Sequence, residues 1–285
     1  MLAGFRIVLA AVVYRLKNLE MLNLAGGVSI ALALRLSLLD IAVRTSFALV
    51  LNALVYLNND YIDVDIDLQS ADKDNEKTRY LAAHKRAAFW AQWSLVGLLS
   101  LVALFYDVGL FAPLILGGGI CWWYSAKLKH VPYFDILAMF IWGVTMPLWA
   151  TPMDDMLGLA MALQLGMFSS VFESIQVMRD ADEDIKEGVR TTGVVLGKRR
   201  TLILARVLMV ATTVYAALYM HPVAAAVSLI ALFIPFLETN IERYWTRVKL
   251  VYGVAWLVIC AVVFMSGEGS GLLASLRSHA AGHTQ

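Results

Sequence analysis

"NDYIDVDID", residues 59–67, follows the apolar run "FALVLNALVYL" and sets four aspartates against a segment that reads as a membrane span. Acids at the end of a helix are usually a solvated boundary, so their meaning depends on which of them share a face and what lies opposite. Positions four apart lie on one side of a helix. Asn59, Asp63 and Asp67 keep that spacing, whereas Asp60 and Asp65 point elsewhere and are expected to be solvated or paired locally. Extending the face backward reaches Tyr56 and Asn52 at greater depth, where polar groups normally face a protein interior or a water-filled cavity.

Composition supports the membrane setting. Of 285 residues, 60% are hydrophobic and only 16% charged, against the roughly 25% charged of soluble domains. A net charge of +1 excludes a nucleic-acid binder built on basic excess. Cys121 and Cys260 sit in apolar runs without a second thiol or histidine at metal spacing, so they read as small buried side chains. Residues 1–18 carry Arg15 too early for a span and lack a small-residue cleavage site. They are expected to be an amphipathic lead-in segment lying on the membrane, not a signal peptide.

A span needs about 20 mostly apolar residues. That template predicts an all-α, polytopic membrane protein of about nine transmembrane helices, near 20–38, 42–62, 88–106, 109–126, 132–150, 156–178, 201–220, 222–239 and 250–266. The chain 1–285 reads as one domain with a short tail at 267–285 and two charged loops at 63–87 and 179–200. If the N-terminal segment and every second connection share one side, that side holds 19 of the 23 basic residues, Lys73 among them. The positive-inside rule makes it cytoplasmic and places the tail outside. Arg35 and Arg44 fall near the outer ends of the first two spans and are expected to snorkel.

The sixth predicted span ends in "FESIQVMRDADEDIKEGVRTT", residues 172–192. Asp180 and Asp184 are four apart, and Gln176 and Glu173 precede Asp180 on the same face, while Asp182 and Glu183 are expected to be solvated. Both acid pairs therefore emerge at the same membrane edge. Two carboxylate pairs and the Asn59 amide offer the oxygen ligands that Mg²⁺ prefers, one or two carboxylates completed by substrate phosphate. Arg79, Lys127, Lys129 and Arg179 are the cations available to a diphosphate, and metal ions would reverse the repulsion between it and the acids. The "LGKRR" run at 196–200 is no P-loop, since no Ser or Thr follows the lysine, and "CWWY" at 121–124 reads as an interfacial belt.

At these residues the sequence resembles the UbiA superfamily of intramembrane prenyltransferases. The family's NxxxDxxxD is matched by Asn59, Asp63 and Asp67, and its DxxxD by Asp180 and Asp184. Its YxxxK-type loop looks like Tyr124 with Lys127 or Lys129 in "WWYSAKLKH". The resemblance implies a helical bundle around a central cavity open to the cytosol, in an integral membrane setting that is the plasma or inner membrane if the chain is bacterial. It further implies Mg²⁺-dependent ionisation of an isoprenyl diphosphate and transfer of the allylic cation to an acceptor. By the same resemblance the five motif residues hold metal, and Asn59, Arg79, Tyr124, Lys127, Lys129 and Arg179 hold diphosphate. Asn52, Tyr56 and Gln176 then line the acceptor or prenyl cavity.

Where many members read RPLPSG after the first motif, this chain reads "KTRYLAAHKRAA". Glu173 stands where the 4-hydroxybenzoate branch carries an acid, which implies a catalytic role and an aromatic acceptor of quinone-precursor type. Lipid, carotenoid, phosphosugar and haem acceptors, a cyclase needing no acceptor, and a non-catalytic binder or transporter are the competing expectations.

Overall fold

The computed structural model describes residues 2–17, 21–69 and 75–269. All regular structure among them is helical: α1 Leu2–Lys17, α2 Leu22–Ala33, α3 Leu38–Asp67, α4 Glu76–Ala83, α5 Lys85–Phe105 and α6 Gly118–Ala126, then α7 Phe134–Thr145, α8 Met156–Glu187, α9 Thr192–Tyr215, α10 Pro222–Leu229 and α11 Ile241–Ser266. Lys73 and most of the tail expected at 267–285 lie outside the described residues, as does the junction of the lead-in segment with α2.

Six segments are long and apolar enough to cross a membrane: Leu38–Asp67, Lys85–Phe105, Val108–Ala126, Met156–Lys186, Thr192–Met220 and Glu238–Ser266. The expected spans near 20–38, 132–150 and 222–239 fall instead on shorter apolar helices, Asn23–Ala33, Phe134–Ala150 and Pro222–Phe233. Local chemistry shortens them. Arg35 takes a positive φ of 55° after α2, and Pro147 opens a 3₁₀ turn after α7, since proline's ring and missing N–H oppose α-helical continuation. The chain is thus a polytopic, all-helical membrane protein.

The two expected loops are largely helix. α3 runs on through Asp67 and α8 through Glu187, so the acid motifs sit on helical extensions of the spans. Asp155 starts α8 by accepting from the N–H groups of Leu157 and Gly158, satisfying orphan donors of the first turn. The helix stops at Gly188, whose φ of 71° suits glycine. Gly188 N–H donates to Ile185 O and Val189 N–H to Asp184 O, the paired bonds of a Schellman ending. That stop turns the chain back within three residues, so Thr191 caps α9 next to the end of α8.

Packing centres on α8, which lies against α7 and α9 and also touches α2 and α11. A Cβ on Gly166 would come within 2.9 Å of Phe140 O, and one on Gly143 within 2.8 Å of Gly166 Cα. The α7–α8 crossing therefore depends on small residues, as close helix contacts in membranes do. Trp256 of α11 donates from Nε1 to Ser29 Oγ of α2 at 2.8 Å, which makes the first and last apolar helices neighbours. α1 buries Ile7 and Ala11 and packs on α3, α4 and α5.

Candidate functional site

α3 and α8 bring both acid motifs to one cavity of about 810 Å³. Its wall includes Asp63, Asp67, Tyr124, Lys129, Glu173, Gln176, Asp180 and Asp184. Residues 117 positions apart thus meet because each motif continues a span with its acids on one face.

Within this wall the charges are already partly matched. Lys129 Nζ donates to Asp63 Oδ1 at 2.6 Å. Arg179 grips Asp180 through Nε at 2.6 Å and Nη2 at 3.0 Å, and its Nη1 reaches Glu242 at 3.0 Å. Thr191 Oγ1 donates to Asp184 Oδ2 at 2.8 Å. Deeper along α8, Glu173 is 5% exposed and accepts from the Tyr124 hydroxyl at 3.1 Å. Seven residues separate Glu173 from Asp180, so the wall descends about 10 Å from the acid rim into the apolar interior. A cavity with carboxylates and cations at the mouth and one buried acid below suits an amphiphile with an anionic head.

Several sequence-predicted residues are placed elsewhere. Asn59 is not part of the cavity wall; its Oδ1 accepts from Ser125 Oγ of α6 at 2.8 Å. Asn52 accepts from Asn23 of α2 at 2.7 Å and donates to Ala48 O, and Tyr56 lies under the Arg15 guanidinium at 4.7 Å from its ring centre. Both share the helical face of Asp63, but α2 and α1 cover that face at their depth. Arg79 and Lys127 are exposed and lie outside the wall, and Arg179, which bridges Asp180 and Glu242, is not part of the wall either. Of the two lysines, Lys129 is the one at the cavity.

The flanking acids behave as local pairs. Asp60 is buried and takes Arg15 and Lys77, each at 2.7 Å. Asp65 pairs with Lys85 and Asp182 with Lys198 on exposed rims. Arg44 does not snorkel: it is buried against Asp107 and the Trp149 carbonyl, and Arg35 instead binds the Phe264 carbonyl at the end of α11.

The cavity also contains residues that helical periodicity did not single out. His130, Thr191 and Gln69 line it. Burial and, secondarily, the Lys129 charge hold the His130 pKa below the ordinary histidine value, so the ring stays neutral at pH 7. Thr191 had a signal in the sequence, a hydroxyl residue just past a glycine helix stop. Gln69 and His130 had none beyond adjacency to a motif.

Among the described residues, no three acids, histidines or cysteines stand close enough together to hold a metal alone. The donor set still fits Mg²⁺, which keeps several ligand positions for substrate phosphate and water and takes one or two carboxylates. Asp63 and Asp67 from α3, with Asp180 and Asp184 from α8, are the residues that can supply them.

Comparison with known proteins gives the family. The chain matches the UbiA prenyltransferase family over residues 21–250. It is 30% identical over 162 residues to a digeranylgeranylglyceryl phosphate synthase from Thermococcus gammatolerans, an alignment covering 55% of this chain and 56% of that relative. The chain thus aligns with little more than half the length of that curated relative. A solved structure of a digeranylgeranylglyceryl phosphate synthase in membranes superposes with a TM-score of 0.74 at 16% identity, over 92% of this chain and 99% of the other. A UbiA homolog from Archaeoglobus fulgidus, solved with GPP and Mg²⁺, gives 0.65 at 16% identity, over 91% and 99%. At such identities the superpositions speak for the fold. The helical fold and the match over most of its length agree: this chain belongs to the UbiA prenyltransferase family.

Proposed function

We propose that the protein transfers an isoprenyl group from a prenyl diphosphate to an acceptor within the membrane, with Mg²⁺ and release of diphosphate. The observation that carries this is the convergence of Asp63 and Asp67 from α3 with Asp180 and Asp184 from α8 on one cavity that descends to Glu173. When bound, Mg²⁺ neutralises the diphosphate and stabilises it as a leaving group.

The remaining steps belong to the chain's own residues. Lys129, now held by Asp63 in the cavity wall, is placed to exchange that carboxylate for a phosphate oxygen, and Arg179 holds Asp180 from behind the wall. The allylic C–O bond breaks and its electron pair leaves with the diphosphate. The allylic cation has to be kept from bulk water, the acceptor forms the new bond, and its proton passes to a base. Glu173, held by Tyr124, is the buried carboxylate placed to take it.

For the acceptor, a glycerol-phosphate-type lipid alcohol has the most support, because the similar curated protein carries the digeranylgeranylglyceryl phosphate synthase name. An aromatic acceptor is the second reading, and Glu173 in the cavity wall favours it. In the same reading, the six long segments and three shorter apolar helices form nine membrane-embedded helices. The basic-residue bias turns the cavity mouth toward the cytoplasm.

Purified protein incubated with geranylgeranyl diphosphate tests the scheme, with a glycerol-phosphate lipid alcohol, with 4-hydroxybenzoate, and with no acceptor. Mass spectrometry is expected to find an ether product only in the first. A ring-alkylated product selects the second reading, and a cyclised hydrocarbon without acceptor contradicts transfer.

A further inference from the structure

Asp135 is the first acid of α7, in the otherwise apolar stretch "YFDILAMF", and is 1% exposed. No basic side chain pairs with it among the described residues. Its carboxylate is held by three donors: Ile136 N–H at 2.8 Å, Thr192 N–H at 2.7 Å and the Thr192 hydroxyl. The Thr192 oxygen in turn accepts from Tyr133 N–H at 2.6 Å, and Tyr133 adopts a positive φ of 69° to present it. A non-glycine residue rarely takes that conformation unless its surroundings hold it there.

The clasp is closed from the other side by α8. A Cβ on Gly193 would lie 1.9 Å from Val177 O, so the start of α9 is pressed onto the α8 backbone. Thr191 is thereby fixed between a buried carboxylate and α8, and its hydroxyl donates to Asp184. Burying a carboxylate without a cation is costly even when it is hydrogen-bonded. Apolar packing would join α7 to α9 at less expense, so the carboxylate calls for a role that packing does not fill.

We propose that Asp135 is a positioning residue: through Thr192 it fixes Thr191, and the Thr191 hydroxyl orients the Asp184 carboxylate at the cavity mouth. The inference rests on the reading of Asp184 as a metal ligand. Ligating carboxylates are themselves commonly oriented by hydrogen bonds, and loss of such a partner weakens metal binding.

The test is Mn²⁺ binding to the full chain in detergent with inorganic diphosphate present, read as loss of the free-ion electron paramagnetic resonance signal. Asp184→Ala is the reference: weakened binding supports the underlying reading, and unchanged binding removes it together with the proposal. Given weakened binding there, Asp135→Asn and Thr191→Val are each expected to weaken Mn²⁺ by about 10-fold. The double variant should be no weaker than either single one, because both cut one chain of contacts. Thr191→Ser, which keeps the hydroxyl, should restore affinity to within about twofold.

Native affinity in a folded Asp135→Asn protein would overturn the proposal, as would single effects that multiply in the double variant. Should Asp135→Asn fail to fold, Thr192→Val replaces it, since it removes the hydroxyl link and leaves the backbone bond.

Discussion

α3 carries polar groups at both of its ends and uses them in opposite ways. At its start, the Ser37 hydroxyl and the Tyr106 hydroxyl both bind Asp40, and Arg44 is buried against Asp107 and the Trp149 carbonyl. Every one of these groups is engaged with a neighbour. At its other end, Asp63 and Asp67 line an 810 Å³ cavity with Asp180, Asp184, Lys129 and Glu173. Similar residue types therefore staple the bundle at one end and leave room for a ligand at the other. What separates them is the space their partners leave, which composition alone does not reveal.

Substitutions that distinguish staple from site sharpen the contrast. The largest effect is expected at the cavity: Asp63→Ala or Asp184→Ala should lower turnover by about 10³-fold or more, since metal-held leaving-group charge is worth several kcal/mol. Thermal unfolding of either variant should stay close to wild type. At the other end the pattern reverses. Asp107→Ala leaves the buried Arg44 uncompensated and should cost about 2 kcal/mol of stability, below the full buried-pair value because Asp107 is partly exposed. Its kcat per folded molecule should be unchanged, as denaturant titration and assay together would show.

Smaller effects test which groups belong to the cavity. Lys129→Gln should raise KM for prenyl diphosphate by about 10-fold, the scale of one charge-assisted hydrogen bond, while Lys127→Gln leaves it nearly unchanged. The smallest expected effect is at His130, whose lowered pKa means that it gains a proton only at more acid pH than an ordinary histidine. His130→Gln should therefore leave activity at pH 7.5 nearly intact and blunt part of its loss on acidification, measured as a kcat/KM–pH profile.

How far the sequence reached follows from what periodicity encodes. Long apolar runs mark α3, α5, α8, α9 and α11, because length and hydropathy are local properties. The shorter segments lose regular α-helix near their ends, at Arg35, at Pro147 and at the 3₁₀ turn Ile230–Phe233, features a hydropathy window averages away. The i, i+4 spacing identified the faces of Asp63, Asp67, Asp180 and Asp184, and the fold brings those faces together. Asn52 and Tyr56 share the first of them, yet Asn23 and Arg15 cover them, since a helical wheel names a face and not its neighbour. The Asp135–Thr192 clasp joins residues 57 apart with no repeated spacing, so only the folded chain displays it. The resemblance ties an aromatic acceptor to Glu173, whereas the similar curated relative is named a digeranylgeranylglyceryl phosphate synthase, a difference that no residue spacing in this chain displays.

The most direct test of the central claim is a structure of the protein with Mn²⁺ and a prenyl diphosphate, in which anomalous scattering locates the metal. The expected result is metal density between α3 and α8, with ligands among Asp63, Asp67, Asp180 and Asp184 and diphosphate oxygens completing the shell. Metal bound instead at Asp60 or at the Asp40–Asp107 end, with diphosphate absent from the cavity, would contradict it.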